Sequence, residues 1–180
     1  QQLSGKAKFP IPFFIAGDAF THLDSDTKNV NRFLTMPTRL AVGAAGKSNE
    51  RTQLFNTLAD DLKRTGFTMH LGPDLSMSNT LGVNRQSIYT FGNSPSSTAD
   101  VAYELGEAFS SHDVLWAPQG FPGGSANRSG AGDSVMITPS SVYLERDGYP
   151  YLAAIQAGAA VIHVGNTLVQ QPDGSMLPAS

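Results

Sequence analysis

The chain has 180 residues, 40% of them hydrophobic, which is enough to bury the core of one domain. Its net charge is −3, from 12 basic and 15 acidic residues, and no basic stripe or basic amphipathic helix predicts contact with nucleic acid or a membrane surface. No apolar run approaches the ~20 residues of a membrane span, and the absence of cysteine excludes disulfides and thiolate metal sites.

The first half of the chain alternates an apolar run, a helical pattern and a second apolar run. The run that ends at Gly17-Asp18 predicts a buried strand near residues 12–17. A helix is predicted from Ser48 or Asn49 to about Arg64, with Gly66 as its stop. Its apolar face comprises Leu54, Leu58 and Leu62. A second strand is predicted near residues 67–72.

The second half repeats this alternation. A helix begins at Ser97 and carries Val101, Leu105 and Phe109 on one face. A third strand near 113–118, a helix around Tyr151–Ala157 and a fourth strand near 159–165 follow. Fully apolar strands that alternate with helices predict an α/β fold in which helices cover a parallel sheet.

In such folds the chemistry lies on the loops that follow the carboxyl ends of the strands. Here those loops begin at Asp18, Pro73, Gln119 and Gly165, and the stretch 119–134 is rich in Gly, Ser and Asn. They predict a binding face, although plain solvated connections are the alternative.

Two segments resemble ligand-binding motifs but lack essential residues. The segment 43–48 ends in Gly-Lys-Ser, but Ala41 stands where a phosphate-binding loop needs its first Gly, so a helix cap is expected. The segment 24–28 begins like a calcium loop but has Asn29 and Thr35 where that loop needs Gly and Glu. Neither a cofactor nor a bound metal is therefore expected.

The polar residues that follow strands are the remaining candidates. The four histidines, His22, His70, His112 and His163, form no i, i+4 pair, and hydrogen-bonded structural roles are the default for each. His22 follows Asp18 by four residues and is the histidine that could bind a substrate. The candidate carboxylates are Asp18, Asp74 and Asp133. They could converge on one rim as a sugar site, and the alternative is that each only caps a helix or forms a turn.

Read in order, these segments resemble the N-terminal barrel of glycoside hydrolase family 3, nearest its β-N-acetylglucosaminidase and β-glucosidase types. The resemblance implies that Asp18 and Arg85 bind substrate, and Phe121-Pro122-Gly123 matches part of the family's "KHFPGHG" strand end. Other matching segments are Val30–Arg32, Met36-Pro37, Leu40–Ala44, Ala59–Gly66, Leu71–Pro73, Phe91-Gly92, Pro95, Tyr151–Ile155 and Val161-Ile162.

Departures from the family pattern suggest a degenerate site. Gln119-Gly120 replaces the family's sugar-gripping Lys-His pair, although Gln119 remains a candidate substrate-binding residue. Asp133-Ser134-Val135 lacks the His of the acid/base dyad. The family's nucleophilic Asp would lie beyond Ser180, and no catalytic residue is assigned within the chain.

A complete (β/α)₈ barrel has ~250 residues. The 180 residues therefore predict one domain, 1–180, that is an incomplete or reduced TIM-type barrel of parallel strands. We expect a residual carbohydrate-binding cleft with little hydrolysis. The alternatives are an active β-glycosidase completed by residues outside the chain, or a structural module. A homodimer or partner chain is expected to cover open barrel edges, and the composition with the sequon at Asn127 suggests an extracytoplasmic protein.

Overall fold

A computed structural model describes six parts of the chain: residues 14–20, 36–77, 87–123, 134–136, 140–165 and 167–178. Several residues singled out from the sequence lie outside these parts, namely His22, Asp24–Lys28, Arg85, Asn127 and Asp133.

The main sheet consists of three parallel strands in the order β1-β2-β3, with β1 at Ala16–Gly17, β2 at Met69–Asp74 and β3 at Leu115–Gln119. These strands lie where the first three apolar runs predicted them. Parallel strands need crossover helices, and the helices between β1 and β3 supply them. The α/β class and the parallel sheet are therefore confirmed, as a partial barrel whose described strands do not close.

The predicted fourth strand, near 159–165, is present only as a short pairing beside β3. The N–H of His163 donates to the Pro118 carbonyl at 2.9 Å, and that of Gly165 donates to the Phe121 carbonyl at 2.8 Å. Phe121 and Val164 form an isolated parallel bridge. Pro118 has no N–H to return a hydrogen bond to this segment, so one rung of the ladder is missing. The strand direction was predicted correctly, and its regularity was not.

Helix α2 spans Asn49–Thr65 and helix α3 spans Pro95–Ser111. The Ser48 hydroxyl caps α2 by accepting from the Arg51 N–H at 3.2 Å, and Gly66 ends it with φ of +90°. Helix α3 begins two residues earlier than predicted, because Ser94 caps it and Pro95 suits its first turn. The predicted apolar face of α3 is fully buried, at Val101, Leu105 and Phe109.

A short helix that the sequence did not predict, α1 at Arg39–Ala44, precedes α2. Gly43 lies against the backbone of Phe91, where an added Cβ would overlap the Phe91 carbonyl oxygen. The Gly-Lys-Ser segment is thus the end of one helix and the cap of the next. Lys47 is exposed, in agreement with the helix-cap interpretation.

Two further helices and a second sheet complete the described structure. Helix α4 spans Ser140–Tyr143, and α5 spans Tyr149–Gln156 and packs closely against α3. The second sheet pairs β4 (Ser134–Met136) in parallel with β5 (Thr167–Gln170), which forms an antiparallel hairpin with β6 (Met176–Pro178). This sheet was not predicted from the sequence, although Asp173-Gly174 at its turn is a hairpin signal.

The core lies between the main sheet and helices α2, α3 and α5. Its largest fully buried side chains include Trp116, Tyr151, Phe55, Phe91 and Phe109. Burial of each aromatic side chain contributes roughly 1.5–3 kcal/mol, so this layer fixes how the helices sit on the sheet. No described helix is long and apolar enough to cross a membrane.

Candidate functional site

Polar side chains gather where the three parallel strands end. Asp18 follows β1, Asp74 is the last residue of β2, and Gln119 is the last residue of β3. Asp74 and Gln119 are paired in the sheet register. Because the strands are parallel neighbours about 4.8 Å apart, these residues share one rim. The rim is the face on which barrel enzymes carry their chemistry.

Asp18 is held on several sides. Its Oδ1 accepts the Phe20 N–H at 2.8 Å, and its Oδ2 lies 3.6 Å from Nη2 of Arg39. Gly72 of β2 packs against this carboxylate so closely that an added Cβ would sit 3.0 Å from Oδ2. The side chain remains 12% exposed. The carboxylate is therefore fixed in orientation and still reached by solvent.

Arg39 of α1 is the rim residue that the sequence analysis missed. Its Nη1 donates to the Tyr89 carbonyl at 3.0 Å, and its guanidinium carbon lies 6.0 Å from the centre of the Phe20 ring. Its side chain is only 9% exposed, so the guanidinium is largely removed from water. No sequence signal identified it, because it lies in a short helix that only packing on Phe91 defines.

His70 of β2 hydrogen-bonds to the turn that follows Asp18. The Ala19 N–H donates to Nε2 at 3.1 Å, so the proton is on Nδ1, which donates to the Gly72 carbonyl at 2.8 Å. Full burial lowers the pKa of His70, and the nearby Asp18 charge opposes that shift without overcoming it. The ring also stacks on Phe109 at 5.0 Å. His70 is a neutral structural histidine, as predicted.

The second carboxylate of the rim, Asp74, fills the space in front of Gly120. Its Oδ1 accepts the Ser76 N–H at 2.8 Å. A Cβ added to Gly120 would overlap this Oδ1 and would lie 2.6 Å from the Ser76 hydroxyl. Gly120 also has φ of +87°, a backbone conformation that favours glycine. Position 120 therefore has neither the space nor the backbone conformation for a side chain.

The backbone of Gln119 is anchored from two directions. Its carbonyl accepts the Tyr151 hydroxyl at 3.0 Å and the Leu75 N–H at 3.1 Å. Burial, with the negative charge of Asp74, raises the pKa of Tyr151 well above 10. The hydroxyl therefore stays protonated and keeps donating, while the Gln119 side chain remains partly exposed on the rim.

The predicted site residues are thus only partly located. Asp18, Asp74 and Gln119 lie on one rim, whereas Arg85, His22 and the loop 124–133 are outside the described residues. His112 caps the C-terminal end of α3, and His163 is exposed beside β3. Across the described ranges, no group of three or more metal-ligating side chains is gathered closely enough to hold an ion.

Comparison with known proteins agrees with this architecture. The family model "Glycosyl hydrolase family 3 N terminal domain" matches residues 1–180. No curated protein sequence is significantly similar to the chain.

Solved structures share the fold at low identity. LpqI of M tuberculosis is 20% identical with a TM-score of 0.75, and the match covers 94% of this chain and 49% of that one. A β-N-acetylglucosaminidase from Thermotoga maritima is 20% identical with a TM-score of 0.73, and the match covers 98% of this chain and 36% of that one. A β-N-acetylglucosaminidase from Paenibacillus sp. is 21% identical with a TM-score of 0.76, and the match covers 94% of this chain and 32% of that one. The chain spans half or less of the length of these relatives.

The family match covers every residue of the chain, and the parallel strands, their helices and the carboxyl-end rim agree with it. The chain belongs to glycosyl hydrolase family 3 and represents its N-terminal domain.

Proposed function

We propose that this chain forms a carbohydrate-binding cleft at the carboxyl ends of β1–β3, and that by itself it hydrolyses glycosides slowly or not at all. The observation that carries the proposal is the pairing of a preorganised carboxylate, Asp18, with a filled position at Gly120 on the same rim.

Asp18 is the residue of the rim that is best suited to bind a sugar. A carboxylate oxygen accepts two hydrogen bonds, and neighbouring sugar hydroxyls are suitable donors. The Phe20 N–H, Arg39 and the close approach of Gly72 hold this carboxylate before any ligand arrives. Preorganisation lowers the entropic cost of binding. The similar solved proteins include β-N-acetylglucosaminidases and a β-glucoside phosphorylase, and these names suggest β-linked glucosyl or N-acetylglucosaminyl units as ligands.

The end of β3 is poorly suited to efficient hydrolysis. By resemblance, Gln119-Gly120 stands where the family has a Lys-His pair that grips the sugar. Gln119 carries no charge, and Asp74 with Ser76 occupies the space that a side chain at Gly120 would need. The rim therefore lacks a cationic donor at β3 and shows carboxylates instead. Weak binding, with a Kd no better than ~1 mM, or about −4 kcal/mol, is expected.

A second candidate is an active β-glycosidase whose catalytic residues lie outside these 180 residues. The preorganised Asp18 favours it, because an enzyme would need the same hold on the sugar. The two candidates share the binding site and differ in turnover.

The experiment combines binding with turnover. Methyl β-N-acetylglucosaminide and methyl β-glucoside are titrated against the chain while protein amide shifts are followed by NMR. Asp18→Ala should abolish the shifts, whereas Asp60→Ala is the matched control, because its side chain is 53% exposed on α2. Equal binding by the Asp18→Ala variant and the parent would overturn the proposed cleft.

Aryl glycosides of the same two sugars then test turnover. The expected result is no hydrolysis above that of a mock-purified sample. Turnover that persists through purification and disappears in Asp18→Ala would refute the proposal that the chain by itself hydrolyses glycosides slowly or not at all.

A further inference from the structure

The rim contains a buried cation, Arg39, that contacts the loop presenting Asp18. Arg39 reaches this loop at two places, the Asp18 carboxylate and the Phe20 ring, and its third contact is the Tyr89 carbonyl in the turn Ser87–Tyr89. Arg39 of helix α1 thereby connects the loop that presents Asp18 with a turn that lies 50 residues after Arg39 in the chain.

The geometry of the ion pair separates it from an ordinary structural salt bridge. Arg51 and Glu104 form a bidentate pair at 2.9 and 2.6 Å between α2 and α3. The shortest ion-pair distance from Arg39 to Asp18 is 3.6 Å, beyond hydrogen-bond range. Arg39 therefore acts on the carboxylate mainly by charge, and its own direct hydrogen bond is to a backbone carbonyl.

Burial makes this charge effective. The side chains of Arg39 and Asp18 are 9% and 12% exposed, so water screens their attraction less than it would at an open surface. The Phe20 N–H holds Oδ1 and the Arg39 charge attracts Oδ2, which leaves the carboxylate one preferred orientation. Without the cation, the attraction on Oδ2 would be lost and the carboxylate would be held less firmly.

We propose that Arg39 is the positioning residue of the cleft: it fixes the Asp18 carboxylate in the orientation that receives sugar hydroxyls, without contacting the sugar. This inference rests on the proposed function, because it assigns a role within the same binding site. It adds a residue that neither the family resemblance nor the sequence pattern identified.

The test is a double-mutant cycle on sugar affinity, measured by the NMR titration with methyl β-N-acetylglucosaminide. Arg39→Met should weaken binding about tenfold, which corresponds to about 1.4 kcal/mol. In the Asp18→Asn background the same change should have little further effect, because the amide has no charge to be held. Arg39→Lys should recover part of the affinity, since it keeps a charge but not the planar fork.

The matched control is Arg51→Met, which removes an even more deeply buried arginine from an ion pair between α2 and α3. It should lower stability and leave sugar affinity unchanged. Additive losses in the Asp18→Asn background would show that Arg39 acts independently of Asp18 and would overturn the inference. Equal loss of affinity in Arg51→Met would do the same, because it would reveal a general effect of destabilisation. If Arg39→Met does not fold, the cycle is completed with Arg39→Gln, which also removes the charge.

A second measurement needs no sugar, so it separates failure of the inference from failure of the proposed function. The Phe20 amide donates to Asp18 Oδ1, and its hydrogen exchange reports how firmly the carboxylate is held. Arg39→Met should accelerate this exchange about tenfold while the amides of α3 stay protected. An unchanged Phe20 exchange rate would refute the positioning role. Acceleration in a chain that binds no sugar would support positioning and refute the cleft.

Discussion

Placing any side chain at position 120 should destabilise the protein more than its backbone conformation alone requires. In Gly120→Ala, the residue must keep φ of +87°, which costs about 1–2 kcal/mol for an L-residue. Its Cβ also overlaps Asp74 Oδ1 and approaches the Ser76 hydroxyl to 2.6 Å, and overpacking of this kind costs about 1–3 kcal/mol. The expected loss is therefore about 2–5 kcal/mol.

Gly66→Ala provides the matched control. Gly66 has nearly the same φ, +90°, but an added Cβ there meets nothing within 4 Å. Its substitution should show the conformational penalty alone. With a urea dependence of about 2 kcal/mol per molar, the midpoint should fall by about 1–2.5 M for Gly120→Ala and by about 0.5–1 M for Gly66→Ala.

Equal midpoints for the two variants would refute the argument that Asp74 and Ser76 fill the position. A third variant examines the contact directly, since Asp74→Ala combined with Gly120→Ala should cost less than the sum of the two single losses. Gly120→His should not produce hydrolysis of aryl glycosides, because the imidazole would have to displace Asp74.

Three further predictions concern the packing and titration of this end of the fold. Gly43→Ala should destabilise the chain by about 1–3 kcal/mol in urea unfolding despite the gain of about 1 kcal/mol in helix propensity, because its Cβ overlaps the Phe91 carbonyl; a stabilised variant would contradict this packing. Burial lowers the pKa of His70 below 6.5. The contribution of neutral His70 to the free energy of unfolding is therefore complete above pH 6.5, and it falls as the pH decreases, by up to about 1.4 kcal/mol per pH unit. Urea midpoints at about pH 7.5 and about pH 5.5 should differ less in His70→Asn than in the parent, and identical differences would refute the assignment. Tyr151→Phe should lower the free energy of unfolding by about 1 kcal/mol at neutral pH, because the hydrogen bond to the Gln119 carbonyl is lost. Since the pKa of Tyr151 is raised in the folded chain, urea unfolding curves of the variant should also show a smaller loss of stability above pH 10 than those of the parent.

Sequence patterns predicted the longer helices and the alternation of strands and helices well. Helix α3 is an example, because Val101, Leu105 and Phe109 recur at helical spacing and all three are fully buried. Helix α2 ends at Gly66 as expected, since glycine alone adopts this backbone conformation without penalty. Periodicity failed for β4–β6, whose strands of three or four residues are too short to show a period.

Only the part of the candidate site that follows directly from the order of strands along the chain could be predicted. Asp18 and Gln119 follow apolar runs, and parallel strands bring such residues to one edge, so their shared rim followed from the sequence. The pairing of Asp18 with Arg39 did not, because α1 is too short to show periodicity and its position depends on Gly43 fitting against Phe91.

The sequence by itself determined the α/β class, the parallel strand direction and which residues follow the strand ends. Those properties depend on local hydrophobic spacing and on the connectivity of the chain. Only the tertiary structure decided that Asp74 fills the space at Gly120 and that Arg39 forms an ion pair with Asp18. These are contacts between segments more than 20 residues apart, and their distances depend on how helices and strands pack, which no local pattern records.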